Sequence, residues 1–195
     1  MVSAILLAAG ESQRMGRPKL LLPFGSSTIL GQTIDNLLGS KVDEVIVVLG
    51  ARAQEMKKIV AGRRVKVAFN PDYHQGMSTS IIAGLKRVNS KVQRVMVALA
   101  DQPLIDKDTY NRLIEKSLSC DNSIVVPAYQ TKRGNPIIFP IKYQEELLGL
   151  EGDVGGREIL KKHPDDMLEV AVDSESVKID INTLDDYYSQ LKLAR

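Results

Sequence analysis

Short apolar runs alternate with segments of helical periodicity along most of the chain. Residues 94–100 form a nearly continuous apolar run, which is typical of a strand covered on both faces, and residues 64–69 alternate with a period of two. Residues 28–38 place Leu30, Ile34 and Leu37 on one face at helical spacing. Strands that alternate with helices in this way predict a doubly wound, mostly parallel sheet between two helical layers, a three-layer α/β/α fold of Rossmann-like type.

The same periodicity gives boundaries to the remaining elements. The predicted strands lie at residues 3–8, 44–50, 64–69, 94–100, 123–129, 135–140, 167–172 and 177–181. The predicted helices lie at residues 28–38, 53–60, 78–88, 106–118, 143–148, 155–162 and 183–193. Because the strands at 123–129 and 135–140 follow each other closely, we expect part of the sheet to be antiparallel in the second half of the chain.

Composition narrows the class of protein. The chain has 195 residues and a net charge of +2, which is too small to indicate a nucleic-acid or membrane surface. Cys120 is the only cysteine, so an internal disulfide is excluded. The apolar start at residues 2–9 is too short to span a membrane and lacks the preceding positive charge of a secretion signal. We therefore expect one monomeric, cytoplasmic domain over residues 1–195 that binds neither nucleic acid nor membranes.

Two cations, Arg14 and Lys19, lie in the glycine-punctuated loop after the first strand. The spacing fits neither a P-loop nor the dinucleotide-binding fingerprint. The small residues Ala8, Ala9 and Gly10 nevertheless allow a ligand to approach the backbone closely, and turn amides beside a guanidinium and an ammonium suit a phosphate. Spacing alone leaves two interpretations open, a phosphate site or two solvated loop charges.

Asp101 follows a buried strand and precedes Pro103. A carboxylate in that position is costly unless it is paired or binds a cation, and Mg²⁺ commonly takes one or two carboxylates together with substrate phosphates. The alternative is an aspartate that caps the next turn. Because open α/β sheets bind ligands at the carboxyl ends of their strands, the cationic loop at a neighbouring strand end favours the metal.

The pattern L-A-A-G-x-S-x-R-M-G-x-x-K at residues 7–19 resembles the nucleotide-binding signature of the MobA-like NTP transferases and, within them, of the molybdenum cofactor cytidylyltransferases. Further motifs follow in the order of that family: GMSTSIIAGL at 76–85, ADQP at 100–103, RGNP at 133–136, GDVGGR at 152–157 and INTLDD at 181–186. The resemblance covers nearly the whole chain and implies a nucleotidyltransferase fold.

The resemblance also implies roles for individual residues. It assigns nucleotide binding to Leu7, Ala8, Ala9, Gly10, Arg14, Lys19, Ser78 and Ser80. It assigns catalysis to Arg14 and Lys19, on the triphosphate, and to Asp101, which would bind Mg²⁺ with Asn182 or Asp180 as a second ligand. It assigns the pterin-bearing substrate to Gly134, Asn135, Pro136, Gly152, Asp153 and Gly155.

The implied reaction transfers CMP from CTP to the terminal phosphate of a molybdopterin-type cofactor and releases pyrophosphate, with a molybdoenzyme as a further recipient. CTP is preferred to GTP because the methyl groups of Ala8 and Ala9 leave less room than two glycines would. Three alternatives stay open: a GTP-dependent guanylyltransferase, a sugar-phosphate nucleotidyltransferase, and a non-catalytic NTP-binding accessory protein for molybdenum hydroxylase maturation.

Overall fold

The computed structural model describes residues 1–120 and 122–193. The strands are β1 (Val2–Ala8), β2 (Pro23–Phe24), β3 (Ser27–Thr28), β4 (Glu44–Leu49), β5 (Lys66–Phe69), β6 (Arg94–Leu99), β7 (Ile124–Tyr129), β8 (Lys132–Arg133), β9 (Ile137–Pro140) and β10 (Met167–Ala171). The helices are α1 (Ile29–Leu38), α2 (Ala53–Val60), α3 (Met77–Leu85), α4 (Lys107–Ser119), α5 (Gln144–Leu148), α6 (Arg157–Lys162) and α7 (Leu184–Leu193).

One sheet of eight strands forms the centre of the molecule, with the order β10-β7-β9-β6-β1-β4-β5 and with β8 paired to β7. The pairs β1/β4, β1/β6, β4/β5 and β7/β10 are parallel. Strand β9 is antiparallel to both of its neighbours, β6 and β7. The predicted doubly wound, mostly parallel sheet is therefore confirmed, and its antiparallel part lies in the second half of the chain as expected.

Strand β1 is the point at which the strand order reverses. The chain continues from β1 to β4 and β5 on one side and then places β6 on the other side. Leu7 of β1 is in register with Leu99 of β6, so the carboxyl ends of the two strands lie side by side. A crevice opens at such a reversal because the connecting segments leave in opposite directions, and α/β proteins bind ligands there.

Alternating side chains of β1 enter two separate hydrophobic cores. Ala4 and Leu6 face the core formed with α1, α2, α4 and α7, whereas Ile5 faces the core formed with α3, α5 and α6. Gly84 allows α3 to pack closely on this second face, because a Cβ at this glycine would lie 2.3 Å from Cγ2 of Ile5. The three-layer arrangement thus follows from the period-two alternation of the strands.

The prediction of a strand at residues 177–181 is wrong. The hydroxyl of Ser174 accepts a hydrogen bond from the amide of Ser176, and a single 3₁₀ turn forms over Glu175–Lys178. Val177 and Ile181 are fully buried there, so their apolar character is satisfied without a strand in this described segment. The short strands β2, β3 and β8 are additions to the predicted elements; each has only two residues, too few for a periodic signal.

None of the helices in the described part of the chain combines the length and the apolar character that crossing a bilayer requires.

Candidate active site

A cleft of about 670 Å³ lies at the carboxyl ends of β1 and β6, where the strand order reverses. Of the residues singled out from the sequence, those that line it are Leu7, Ala8, Ala9, Gly10, Arg14, Lys19, Ser80, Asp101, Asp153, Asp180 and Asn182. The loop after β1, the end of β6 and the segment before α7 therefore meet in one place. The first two were expected there from their positions after neighbouring strands, and the third from the resemblance.

The loop after β1 is held in place by a backbone hydrogen bond to a neighbouring segment and by its own tight turns. The carbonyl of Ala9 accepts a hydrogen bond of 3.0 Å from the amide of Ala51, which follows β4. Ser12 and Gly16 adopt left-handed conformations on either side of a 3₁₀ turn, and Met15 in that turn is buried. These turns present the exposed side chain of Arg14 on the cleft side, while Gly10 is exposed at the cleft itself.

Four polar side chains meet across the cleft. The Lys19 ammonium lies 2.5 Å from Oδ2 of Asp101 and donates to Oδ1 of Asn182 at 3.1 Å. The guanidinium of Arg14 donates to the same Asn182 oxygen at 2.9 Å. The side chains of Lys19 and Asp101 are only 15% and 16% exposed, so their attraction is screened less than that of a surface ion pair. Both loop cations thus point towards the acidic side of the cleft.

Asp180 adds a second carboxylate to this side. Burial, and next the negative charge of Asp101, raise the pKa of Asp180, while Lys19 and a hydrogen bond from Gln102 act in the opposite direction. The amide of Gln102 donates to Oδ1 of Asp180 at 2.8 Å and to the carbonyl of Val177 at 3.2 Å. Asp101 and Asp180 are therefore close enough for their charges to interact.

The position of Asn182 is fixed by the start of α7. The carboxylate of Asp186 accepts hydrogen bonds from the amides of Asn182 at 3.0 Å and Thr183 at 2.8 Å, and the Thr183 hydroxyl accepts from the Asp186 amide. This reciprocal arrangement is a capping box. Partial burial of Asp186 raises its pKa, but these hydrogen bonds outweigh it and leave the pKa lowered. The carbonyl of Asp101 accepts from the Ile181 amide at 3.0 Å and joins this segment to the end of β6.

The opposite wall of the cleft is the start of α3, which contacts the glycine-rich loop at residues 152–156. The carbonyl of Gly152 accepts from the hydroxyl of Ser78 at 2.7 Å, and Asp153 accepts from the amide of Met77 at 3.1 Å. Gly76 makes this contact feasible, because a Cβ there would lie 2.4 Å from the carbonyl of Gly152. The two glycine-containing motifs therefore form one wall of the cleft together.

Several residues proposed from the resemblance lie outside the cleft lining. Ser78 is 1% exposed, and its hydroxyl donates a hydrogen bond to the glycine-rich loop. Ser80, two residues further along α3, does line the cleft, and its hydroxyl accepts a hydrogen bond from the Asn70 amide at 2.9 Å. The residues assigned to the pterin substrate that do not line it are Gly134, Asn135, Pro136, Gly152 and Gly155. Gly134 packs against the backbone of Val177, where a Cβ would lie 2.2 Å from the carbonyl oxygen. Their assignment to substrate stays a prediction.

The turn Tyr73–Gln75, in the segment that follows β5, supplies three lining residues. The role of Gln102 could not be predicted from the sequence. Gln102 is 1% exposed and orients Asp180, while its Oε1 has no hydrogen-bond partner among the described residues. The only signal for Gln102 is its place between an acidic residue and a proline in ADQP.

The oxygen donors of the cleft fit a hard divalent cation. Asp101, Asp180 and Asn182 offer two carboxylates and an amide oxygen, the ligand types that Mg²⁺ and Mn²⁺ accept. In the described part of the chain, no three His, Cys, Asp or Glu side chains cluster closely enough to hold a metal by themselves. A cation would therefore use two or three protein oxygens here and complete its coordination with phosphate and water, which is usual for Mg²⁺.

Comparison with known proteins identifies the family of this chain. The family model described as the MobA-like NTP transferase domain matches residues 4–167, so the chain belongs to that family of nucleotidyltransferases. The resemblance stated from the motifs is thereby confirmed.

Two relatives that match nearly the whole chain are named for different activities. The chain is 30% identical to the nicotine blue oxidoreductase of Paenarthrobacter nicotinovorans over 97% of this chain and 96% of that protein. It is 28% identical to the molybdenum cofactor cytidylyltransferase of Escherichia coli K12 over 95% and 93% of the two chains.

Among solved structures, Rv0371c from Mycobacterium tuberculosis H37Rv superimposes with a TM-score of 0.89 at 31% identity, covering 98% of this chain and 97% of that one. Rv0371c has also been solved in complex with manganese; that structure has a TM-score of 0.85 at 30% identity and covers 98% of each chain.

Proposed function

We propose that this protein transfers CMP from CTP to the terminal phosphate of a molybdopterin-type acceptor and releases pyrophosphate, with Mg²⁺ as its metal. The observation that carries the proposal is the meeting of Arg14 and Lys19 with Asp101 and Asn182 in the cleft at the strand reversal. Two cations facing acidic and amide oxygens are what a metal-bound triphosphate needs, because its charge must be neutralised by both protein cations and a divalent ion.

The chemistry requires alignment more than proton transfer. A phosphate nucleophile is already anionic near neutral pH, so one of its oxygens can attack the α-phosphorus while the bond from that phosphorus to the bridging oxygen of pyrophosphate breaks. Arg14 and Lys19 hold the triphosphate and stabilise the departing pyrophosphate. Asp101 and Asn182, with Asp180 beside them, would hold the divalent ion, which would supply Lewis-acid stabilisation of the phosphoryl oxygens.

Binding of the nucleotide is proposed for Leu7, Ala8, Ala9, Gly10 and Ser80, which line the cleft on the side of β1 and α3. Ala8 and Ala9 are at most 4% exposed, so close packing holds the wall they form in place. A pyrimidine needs less space than a purine against such a wall, which supports CTP over GTP. A guanylyltransferase remains the first alternative, and it differs in this base alone.

The acceptor is proposed to lie on the side of Asp153, the member of the glycine-rich loop that reaches the cleft. The E. coli relative named as a molybdenum cofactor cytidylyltransferase supports an acceptor of the molybdenum cofactor type. A molybdoenzyme is proposed as the eventual recipient. The oxidoreductase name of the Paenarthrobacter relative is the reason to retain an accessory, non-catalytic NTP-binding protein as a second candidate. A sugar phosphate is the remaining alternative acceptor.

We also propose that residues 1–195 act as one domain in the cytoplasm, where nucleoside triphosphates are available. The sheet supports a single domain, since its strands come from residues 2 to 171 and residues from both halves of the chain enter the same cleft.

The proposal is tested by measuring pyrophosphate release with Mg²⁺ and a molybdopterin-type acceptor, with CTP, GTP, ATP and UTP offered separately. We expect release with CTP and a loss of roughly a hundredfold or more in Asp101→Ala, because the variant lacks a charged ligand of the proposed metal site. Release with GTP instead would assign the guanylyl reaction. Nucleotide binding without release, for every acceptor tried, would favour the accessory role and contradict the proposal.

A further inference from the structure

The ammonium of Lys19 contacts one oxygen on each of two residues, Asp101 and Asn182, that the proposed function assigns to the metal. It is 2.5 Å from Oδ2 of Asp101 and 3.1 Å from Oδ1 of Asn182. These oxygens come from distant parts of the chain, the end of β6 and the segment before α7. One side chain of the loop after β1 therefore joins both proposed ligands.

An ammonium and a divalent cation cannot use these oxygens in the same way at the same time. Mg²⁺ binds oxygen ligands at about 2.0–2.1 Å and demands near-octahedral geometry. A hydrogen-bonded ammonium on the same oxygens would stand directly beside the metal, and two positive charges so close in a partly shielded site repel strongly. Lys19 must move before a metal can take both oxygens.

The flexible stem of Lys19 and its position at the cleft make such a movement feasible. Lysine carries its charge on a flexible four-carbon stem, and Lys19 itself is partly exposed at the cleft. Arg14 also contacts the Asn182 oxygen, but its side chain is exposed and directed from the solvent side. A triphosphate entering the cleft offers the ammonium a new anionic partner, so the loss of the Asp101 contact is offset only when nucleotide is present.

We propose that Lys19 occupies the cation position in the nucleotide-free protein, so that the metal ion and the nucleoside triphosphate bind as a coupled pair. This inference rests on the proposed function for the identity of the two metal ligands. In the nucleotide-free protein, Lys19 neutralises the acidic side of the cleft, which Asp101 and Asp180 line. Because coupling between two ligands is reciprocal, nucleotide tightens metal binding by the same factor by which metal tightens nucleotide binding.

The test is a titration with Mn²⁺, followed by the electron paramagnetic resonance signal of the free ion, without any nucleotide. We expect Lys19→Met to bind Mn²⁺ about tenfold or more tightly than the wild type, because the competing charge is gone while the length of the side chain is kept. Arg17→Met is the matched control: Arg17 is an exposed cation of the same loop that does not line the cleft, and its variant should bind like the wild type.

Further variants make the result decisive. Adding Asp101→Asn to Lys19→Met should remove the gain, which assigns the new affinity to this cleft. Should Lys19→Met fail to fold by circular dichroism, Lys19→Ala provides the same comparison. Equal or weaker Mn²⁺ binding in the folded Lys19 variant would overturn the inference.

The Mn²⁺ titration and the turnover assay test the two proposals independently. Wild-type turnover with CTP, combined with no gain in Mn²⁺ affinity, would leave the proposed function intact and exclude the coupling. A gain in affinity in a protein that releases no pyrophosphate would support the cation position and contradict the transferase.

Discussion

A substitution at Gly10 can distinguish an effect on ligand binding from an effect on folding. Its backbone lies outside the left-handed region, and a Cβ built on it meets nothing within 4 Å among the described residues. The fold therefore has no need of glycine at this position, although the residue lines the cleft. If glycine is required there, the requirement comes from a ligand that approaches the backbone closely.

The substitution Gly10→Ala should therefore affect nucleotide binding and leave stability intact. We expect the free energy of unfolding to be unchanged or raised by up to about 1 kcal/mol, because alanine lowers the conformational entropy of the unfolded chain. Displacing a phosphate from a backbone amide removes a hydrogen bond to a charged group, worth roughly 1.5–3 kcal/mol, so the Kd for CTP should rise about tenfold to hundredfold.

Urea denaturation and isothermal titration with CTP and Mg²⁺ measure the two quantities. Gly149→Ala is the control, because Gly149 lies outside the cleft and its added Cβ would be 3.4 Å from the carbonyl of Glu145, an ordinary contact. Unchanged CTP affinity in Gly10→Ala would refute the close approach of ligand to this turn. A loss of more than about 2 kcal/mol in stability would refute the claim that the fold tolerates alanine.

Two further predictions concern the scaffold of the site. Gly76→Ala should lower the free energy of unfolding by about 2–4 kcal/mol in urea, because φ is +117° and the added Cβ would lie 2.4 Å from the carbonyl of Gly152. Glu44→Gln should destabilise the protein at pH 7 and much less at pH 3. Burial raises the pKa of Glu44, but hydrogen bonds from Lys66 and its other partners lower it below the usual 4.5, so this stability is present above that value and lost on acidification.

Each of these has a result that would contradict it. A Gly76→Ala protein as stable as the wild type would mean that the two glycine-containing loops separate without cost. Thermal melts of Glu44→Gln and wild type that differ equally at pH 3 and pH 7 would show that the carboxylate charge contributes nothing to stability.

The sequence predicted the sheet well because its signal is local. Period-two and continuous apolar runs mark strands independently of what they pair with, and the alternation with helices leaves few topologies open. The meeting of Lys19 with Asp101 could also be anticipated, since both follow strands whose carboxyl ends share one edge of the sheet. That their ammonium and carboxylate form a direct ion pair could not, because it depends on the conformation of a loop.

The second half of the chain was harder to predict for a physical reason. Val177 and Ile181 are apolar at strand-like spacing, yet Val177 is buried within a 3₁₀ turn capped by the Ser174 hydroxyl, and Ile181 is buried beyond the end of that turn. Gln102 gives no periodic signal, and its role comes from a carboxylate 78 positions away in sequence, Asp180. Contacts of this range are set by the order of the strands, which local patterns do not encode.

Nucleotidyl transfer to the acceptor is tested most directly by following the α-phosphorus of the nucleotide. The protein is incubated with Mg²⁺, a molybdopterin-type acceptor and CTP labelled with ³²P at the α-position, and the products are separated. We expect the label to move into the pterin product in an amount equal to the pyrophosphate released, and Asp101→Ala to leave it in CTP. Label that stays in CTP with the wild type, or that appears only in free CMP, would contradict nucleotidyl transfer to this acceptor.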